Sequence, residues 1–357
     1  MSDILRLARP EILALEAYVA ANYDAAAVRL NANESPQRLA SDNSQRGLNW
    51  YPEERPLELQ RVLASHFELS EEQLLITRGS SEAIDLIIRA FCTPAKDGIV
   101  VCPPNFSMYD VYANIQGANV KQVPLLAETF EPDVKAILSS WQDTDKILFL
   151  TTPNNPTANC LDPARVSALA DGLRDRALVV IDAAYIEFSN QGPFIHSLLE
   201  RDNVVVLRTL SKAYAMAGAR LGCMLASPSV VALIDKILPP YALSTPVVDA
   251  ALDAMSAENL NKLVLMRKNL VAERVKLENF LGSCPAVERV YRSDANFLLV
   301  RFQDPSAALV AAKAQGLLLR DFQSLPQTHN CLRISIGSPD ANERLMNCLG
   351  NLKEPAA

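Results

Sequence analysis

The chain has 357 residues, of which 49% are hydrophobic and 21% charged, and its formal net charge is -7. This length exceeds the size at which a single core keeps growing, so we expect one large and one smaller domain. The negative charge gives no electrostatic footprint for nucleic acid, and no stretch of about 20 residues is apolar throughout, which argues against a membrane span.

The N-terminus and the cysteines indicate a cytoplasmic protein. Residues 1–9 lack the apolar run and the small-residue cleavage site of a signal peptide. The seven cysteines are scattered without a C-x-x-C pair, which favours reduced thiols over a disulfide framework. The three histidines lie far apart in sequence, and we expect no metal site.

The first two thirds of the chain alternate between short apolar segments and longer amphipathic ones. The predicted strands are Leu74–Thr77, Gly98–Cys102, Asn119–Pro124, Lys146–Thr151, Ala177–Ile181, Asn203–Leu207 and Leu221–Ala226. Helical patterns such as Ser80–Phe91 and Pro163–Arg174 lie between them. Several strands are apolar throughout, which is typical of strands buried on both faces. The pattern predicts an α/β fold whose large domain has a mostly parallel seven-stranded sheet covered by helices.

The pattern changes after Pro246. A long helical stretch runs to about Leu281, and short strands follow near Val287–Tyr291, Asn296–Phe302 and Cys331–Ile336. These elements predict a smaller α+β domain. We expect residues 30–245 to form the large domain, and residues 1–29 and 246–357 to form the small one. A long helix from about residue 246 would join them.

Lys212 is the first candidate for chemistry. It lies in Ser211-Lys212-Ala213-Tyr214, just past the buried strand Asn203–Leu207, at the sheet edge where α/β proteins bind ligands. Partial desolvation and a nearby cation would lower its pKa and make it a nucleophile. Ser211 and Arg220 are both able to bind a phosphate. Taken alone, this lysine is more often a solvated residue at a strand end than a reactive one.

Asp182 and Tyr185 follow another buried strand and face the same edge. A carboxylate here would keep a pyridine nitrogen protonated, and the phenol would reach the hydroxyl of the same ring. The alternative for Asp182 is a cap on the next helix.

Two further turns lie at strand ends. Pro153-Asn154-Asn155-Pro156-Thr157 would direct an amide toward the crevice, or is a plain turn. Arg78-Gly79-Ser80-Ser81-Glu82 begins a helix and would hold a phosphate through backbone N–H groups and hydroxyls, although a serine N-cap with a capping box explains it equally.

The order of these four signals resembles that of the aspartate-aminotransferase-like, fold type I pyridoxal-phosphate (PLP) enzymes. Further segments make the chain similar to the histidinol-phosphate aminotransferase family. They are Leu30-Asn31-Ala32-Asn33-Glu34-Ser35-Pro36, Tyr51-Pro52-Glu53, Cys102-Pro103-Pro104 with Met108-Tyr109, Ala184-Tyr185-Ile186-Glu187-Phe188, Thr209-Leu210-Ser211-Lys212-Ala213 and Leu332-Arg333-Ile334. The resemblance covers almost the whole chain. It implies transfer of an amino group between L-histidinol phosphate and 2-oxoglutarate, in histidine biosynthesis.

The resemblance also implies residue roles. Lys212 would hold the cofactor covalently and shuttle a proton, and Asp182 would pair with the ring nitrogen. Asn155 and Tyr185 would hold the ring hydroxyl, and Tyr109 would stack on the ring. The cofactor phosphate would be surrounded by Gly79, Ser80, Ser81, Thr209, Ser211 and Arg220. Tyr51 would reach the cofactor phosphate of a neighbouring subunit, which makes the expected active unit a homodimer.

Substrate recognition is expected from Arg333 and Arg320. Arg333 lies in an apolar strand without a nearby acidic residue, and a planar guanidinium suits a carboxylate or phosphate partner. By the resemblance, this pair would hold the phosphate of histidinol phosphate or a carboxylate of glutamate. Tyr18, Asn33, Tyr109 and Asn155 are further candidates for substrate contacts, and Tyr18 is equally well explained as a packing residue.

Three positions depart from the family pattern. Ala158 stands where glycine is usual, and a positive φ there would strain an alanine. Ala183 replaces a glutamate, and Ser81 stands where a carboxylate is common. These departures leave the cofactor chemistry intact and bear on substrate preference.

Other functions remain open at this stage. An aromatic amino-acid aminotransferase, a small-amino-acid synthase or a phosphothreonine-type decarboxylase would use the same lysine, aspartate and arginine. A dinucleotide-binding dehydrogenase would need a G-x-G-x-x-G run, and the chain has none. An inactive relative that serves as a binding module is disfavoured because every chemical group is retained.

Overall fold

The computed structural model describes residues 3–18, 20, 27–44 and 46–352. The strands in these ranges are β1 (Leu74–Thr77), β2 (Gly98–Val101), β3 (Asn119–Gln122), β4 (Asp145–Thr151), β5 (Leu178–Asp182), β6 (Val204–Thr209), β7 (Gly222–Leu225), β8 (Val287–Val290), β9 (Phe297–Phe302), β10 (Arg320–Asp321) and β11 (Cys331–Ser335). The α-helices there are α1 (Pro10–Leu13), α2 (Leu57–His66), α3 (Gly79–Phe91), α4 (Met108–Gln116), α5 (Val134–Ser140), α6 (Pro163–Gly172), α7 (Gly192–Ser197), α8 (Pro228–Asp235), α9 (Thr245–Ala254), α10 (Ala257–Gly282), α11 (Pro305–Ala314) and α12 (Pro339–Gly350).

The large sheet has seven strands in the order β1-β7-β6-β5-β4-β2-β3. Strand β7 runs antiparallel to both of its neighbours, and the remaining pairs are parallel. The prediction of a mostly parallel seven-stranded sheet is confirmed.

Both faces of this sheet are covered, which explains why its strands are apolar throughout. In β4, Leu148 and Leu150 join the core on one face, whereas Ile147 and Phe149 join the core on the other. This alternation follows from the two-residue period of a strand.

The small sheet has four antiparallel strands in the order β10-β11-β9-β8. In its strand β9, Leu298 and Val300 pack in a core with α10, α11 and α12. Phe297 and Leu299, on the opposite face, join the core of the large sheet instead. The small sheet therefore packs directly against the part of the molecule that carries Lys212.

Two expectations about the chain outside the large sheet were wrong. The long helix after residue 246 is two helices, because the side chain of Ser256 accepts a hydrogen bond from the backbone of Asn259 and begins α10 anew. The N-terminal residues 3–13 do not pack on the small sheet. Ile4 and Ala8 are buried among residues of α3 and the large sheet, and the Arg9 backbone donates to the Ala90 carbonyl at 2.9 Å.

No helix among the described residues combines the length and the apolar character that crossing a bilayer requires.

Candidate active site

The ends of strands β4, β5 and β6 and the beginning of α3 surround a cavity of about 160 Å³. Its lining residues are Ser80, Ser81, Phe106, Thr151, Asn155, Asp182, Ala184, Tyr185, Thr209, Ser211, Lys212, Ala217 and Arg220. Ligand sites of α/β sheets form at this edge, because several strand ends and helix N-termini meet there. Eight of the predicted cofactor-binding residues lie in this one cavity with Lys212.

Lys212 follows the last residues of β6 and extends into the cavity. Its Nζ lies 5.5 Å from the centre of the Tyr185 ring. Desolvation by the cavity walls lowers its pKa, with further lowering by Arg333 and Arg220, whereas Asp182 opposes the shift. A lysine in these surroundings loses its proton more easily than a lysine in water, which suits it to nucleophilic and proton-transfer chemistry.

Asp182 is the last residue of β5 and is 3% exposed. One carboxylate oxygen accepts the Tyr109 hydroxyl at 2.9 Å, and the other accepts the Ala184 backbone N–H at 3.2 Å. Burial raises the pKa of Asp182, while these two donors and Lys212 lower it. The carboxylate does not cap a helix, so the alternative considered for it does not hold.

Asn155 connects the cavity to the small sheet. Its amide nitrogen donates to the Tyr185 hydroxyl at 3.5 Å, and its amide oxygen accepts Nη1 of Arg333 at 2.6 Å. Burial raises the pKa of Tyr185 to about 12, with Arg333 opposing the shift. The phenol therefore keeps its proton at neutral pH, and its O–H is available to donate a hydrogen bond to a ligand.

The opposite end of the cavity is lined by donors for an anion. Arg220 Nη1 donates to Ser211 Oγ at 3.4 Å, and the Ser211 backbone N–H donates to Thr209 Oγ1 at 3.2 Å. Ser80 and Ser81 lie in the first turn of α3, where free N–H groups favour anions. The predicted alternative, a serine N-cap, does not occur, since the N-cap residue is Arg78 and no serine side chain caps this helix.

Gly79 brings Arg220 close to the beginning of α3. Its φ is +72°, and a Cβ on this residue would approach Nη2 of Arg220 to 3.0 Å. Glycine therefore fits both the backbone conformation and the close approach of the guanidinium.

Arg333 and Arg320 lie beside the cavity on the small sheet, directly opposite each other on β11 and β10. Among the described residues, neither forms an ion pair with a carboxylate. The Arg333 guanidinium lies between the rings of Phe297 and Phe322, at 5.2 and 5.0 Å from their centres, and Arg320 lies 5.9 Å from the Phe322 ring. Desolvation lowers the pKa of Arg333, and Arg320 lowers it further while Tyr185 raises it.

Besides Gly79, Arg320 and Arg333, which were described above, four predicted residues do not line the cavity. Tyr18 is 63% exposed, Asn33 is exposed, and Tyr51 is 52% exposed and stacks on Tyr241 at 4.8 Å. Tyr109 is fully buried, with its ring stacked on Phe149 at 4.5 Å and its hydroxyl bonded to Asp182. The expectation that Tyr109 stacks on the cofactor ring is therefore wrong, because its ring has no face toward the cavity.

Phe106 and Thr151 both line the cavity but were not among the predicted site residues. Phe106 precedes Tyr109 by three residues and is the aromatic side chain of this segment that faces the cavity. The available signal was its place in the loop after β2, at the same sheet edge as the other candidates. Thr151 is the last residue of β4 and was treated only as part of a strand.

Ala158 has a φ of 69° in the turn that follows Asn155, as the departure from glycine suggested. It is fully buried, and its carbonyl accepts the Asp294 backbone N–H at 2.8 Å. The left-handed conformation strains an alanine, and this turn therefore carries backbone strain.

The seven-stranded sheet and the cavity with a lysine and a carboxylate at its edge define a fold type I transferase. Residues 18–349 match the family described as aminotransferase class I and II. The chain is 40% identical to a histidinol-phosphate aminotransferase of Stenotrophomonas maltophilia, over 98% of this chain and 97% of that protein. It is 37% identical to a histidinol-phosphate aminotransferase of Flavobacterium psychrophilum, over 97% of this chain and 98% of that protein.

Among solved structures, the fold is similar to that of histidinol-phosphate aminotransferase from Sinorhizobium meliloti in complex with pyridoxal-5'-phosphate. The TM-score is 0.76 at 24% sequence identity, over 84% of this chain and 82% of that one. The chain belongs to the class I and II aminotransferases, and within them to the histidinol-phosphate aminotransferase family.

Proposed function

We propose that this chain transfers an amino group between L-histidinol phosphate and 2-oxoglutarate in histidine biosynthesis, with pyridoxal 5'-phosphate as cofactor. The products are imidazole acetol phosphate and L-glutamate. The relatives that cover the whole chain carry this activity in their names. The observation that supports it in the structure is one cavity with Lys212 and Asp182, flanked by two arginines that have no carboxylate partner among the described residues.

The donor groups of the cavity fit this cofactor. Asp182 would pair with the ring nitrogen, and the hydroxyl of Tyr185 and the amide of Asn155 would hold the ring hydroxyl. The cofactor phosphate would lie at the end with Arg220, held also by the hydroxyls and N–H groups of Ser80, Ser81, Thr209 and Ser211. Phe106, which lines the cavity, is the aromatic ring available to stack on the cofactor.

Lys212 would carry out the proton transfers. Because its pKa is lowered, its Nζ takes up a proton from the substrate carbon and releases it again within the cavity. When bound, pyridoxal phosphate supplies an electron-withdrawing ring and the carbon that carries the amino group between the two substrates. Asp182 keeps the ring nitrogen protonated, and the buried walls of the cavity exclude water.

Arg333 and Arg320 would bind the anionic end of either substrate. A phosphate and a carboxylate both accept paired hydrogen bonds from a guanidinium, and both reduce the repulsion between two facing cations. Arg333 also donates to Asn155, so the anion site and the groups that hold the cofactor ring are directly connected. Tyr18 and Asn33 do not line the cavity of their own subunit, so they would contact substrate only in the cavity of a second subunit or after a change in conformation.

We also propose a homodimer in the cytoplasm, with Tyr51 reaching the site of the neighbouring subunit. The segment around Tyr51 exposes large apolar side chains, among them Leu30, Leu39 and Leu48, which a second copy would cover. All seven cysteines are free, as a reducing compartment requires. We further propose a division into domains near residue 245. The buried residues of the separate small-sheet core begin at Leu277 in α10, whereas Val248 and Ala251 of α9 belong to the core of the large sheet.

A half-reaction screen tests the proposed function. The cofactor-loaded protein is mixed with histidinol phosphate, histidine, phenylalanine or phosphothreonine, and the absorption of the cofactor is followed. Histidinol phosphate should convert the cofactor fastest. Faster conversion by phenylalanine would indicate an aromatic aminotransferase, and release of carbon dioxide from phosphothreonine would indicate a decarboxylase.

A further inference from the structure

Two linked hydroxyl groups of buried residues, those of Thr151 and Tyr109, end on the carboxylate of Asp182. The Tyr109 hydroxyl donates to Asp182 Oδ2 at 2.9 Å and contacts the Thr151 hydroxyl at 2.8 Å. Tyr109 is fully buried and Thr151 is 5% exposed.

The donor and acceptor in each of these hydrogen bonds follow from the chemistry of the groups. An ionised carboxylate accepts hydrogen bonds and donates none, so the Tyr109 hydroxyl must donate its proton to the hydrogen bond with Asp182. The Thr151 hydroxyl must then donate to the phenol oxygen. A phenol that accepts one hydrogen bond becomes a stronger donor in the next one, so Thr151 strengthens the bond to Asp182.

Packing alone does not explain the hydroxyl of Tyr109. The ring stacks on Phe149 and meets Phe106 edge-on at 5.7 Å, contacts that a phenylalanine would make equally well. A buried phenol without a partner would be costly, whereas here the hydroxyl donates to a buried acid.

We propose that Tyr109 is a positioning residue that acts on the cofactor ring nitrogen through Asp182, with Thr151 supporting it. Together with the Ala184 N–H on the other oxygen, the Tyr109 hydroxyl fixes the carboxylate plane and keeps it charged in a site that disfavours charge. The acid then meets the ring nitrogen as an ionised, correctly oriented partner. This inference rests on the proposed pairing of Asp182 with that nitrogen.

The test compares two cofactors that differ only at the ring atom which Asp182 faces. Dissociation constants are measured by equilibrium dialysis on the full chain for pyridoxal phosphate and for its 1-deaza analogue, which has a C–H in place of the ring nitrogen. The variants are Tyr109→Phe, Thr151→Val and Asp182→Asn. Tyr112→Phe is the matched control, because Tyr112 is a partly buried tyrosine of the same helix whose hydroxyl makes no hydrogen bond to the described part of the chain.

Tyr109→Phe should weaken binding of pyridoxal phosphate about tenfold, the effect of losing a hydrogen bond to a charged group, and should leave binding of the analogue unchanged. Thr151→Val should show the same selectivity at about threefold. Tyr112→Phe should change neither constant.

Equal weakening of both cofactors by Tyr109→Phe would show a purely structural role and overturn the inference. So would unchanged binding of both. If Tyr109→Phe does not fold, the absence of selectivity in Thr151→Val overturns it instead. Asp182→Asn distinguishes failure of this inference from failure of the proposed function. If Asp182→Asn weakens binding of both cofactors equally, then the proposed pairing of Asp182 with the ring nitrogen is wrong, and the proposed function with it.

Discussion

The cofactor cavity and the arginine pair beside it are built in opposite ways. In the cavity, the groups around the carboxylate and the phenol are already hydrogen-bonded: Asp182 accepts from Tyr109 and from a backbone N–H, and Tyr185 accepts from Asn155. Arg320 and Arg333 instead face each other across two strands and contact aromatic rings rather than carboxylates. Like charges at directly opposite positions destabilise a sheet, so the arginine pair gains most when an anion binds.

The difference indicates what each region does. A cavity whose groups are already oriented is preorganised and would hold the cofactor throughout the proposed reaction cycle. An arginine pair without a carboxylate partner among the described residues would bind and release anions, as the proposed reaction with two alternating substrates requires. The predictions below test this division, beginning with the largest expected effect.

Lys212→Ala should reduce transamination at least about a thousandfold, because no other lysine lines the cavity to transfer the proton. The measurement is steady-state turnover with histidinol phosphate. Lys262→Ala, which removes an exposed lysine paired with Glu258 on α10, is the control and should be fully active. Near-normal turnover of Lys212→Ala would contradict the assignment of the cavity as the active site.

Arg333→Ala should lower kcat/KM for both substrates. The loss of transition-state stabilisation should be about 2–5 kcal/mol, the range for removing one partner of a desolvated charge pair. Arg333→Lys should recover only part of the loss, because an ammonium lacks the planar pair of donors. Unchanged KM values for both substrates in Arg333→Ala would show that the anion binds elsewhere.

Arg320→Ala should have a smaller effect of about three- to tenfold, because Arg320 is exposed and water screens its charge. The effect should shrink as salt concentration rises, whereas that of Arg333→Ala should persist. A salt-independent loss in Arg320→Ala would indicate that the exposed arginine is desolvated on substrate binding.

Ala158→Gly should stabilise the protein by about 0.5–1 kcal/mol, since glycine relieves the left-handed backbone of the turn between the cavity and the small sheet. Ala168→Gly is the matched control, because Ala168 is exposed within α6 and glycine there should destabilise by about 1 kcal/mol. Denaturant unfolding measures both. Destabilisation by both changes would mean that the strain at Ala158 is not significant.

The large sheet could be predicted from the sequence because its strands are buried on both faces and read as continuous apolar runs. The small sheet was harder to predict from the sequence. Strand β10 has only two residues, Arg320 and Asp321, and both are exposed, so no periodicity marks it. The break between α9 and α10 was missed because the apolar spacing continues through Ser256.

The candidate site, too, could be predicted from the sequence only in part. Lys212, Asp182 and Asn155 each follow a buried strand, and parallel strand ends necessarily meet at one edge of a sheet. Which of Phe106 and Tyr109 faces the cavity depends on the conformation of the loop that leads into α4, because Phe106 lies in that loop and Tyr109 in the first turn of the helix, and the sequence does not determine this conformation. The position of Tyr51 in the expected dimer involves a second copy, which lies outside what one sequence specifies.

The most direct test of the central claim is to reduce the cofactor-loaded protein with borohydride and to map the modified peptide by mass spectrometry. The account predicts that the cofactor is fixed on Lys212, the lysine that shares its cavity with Asp182 and Arg220. Attachment to any other lysine would contradict it.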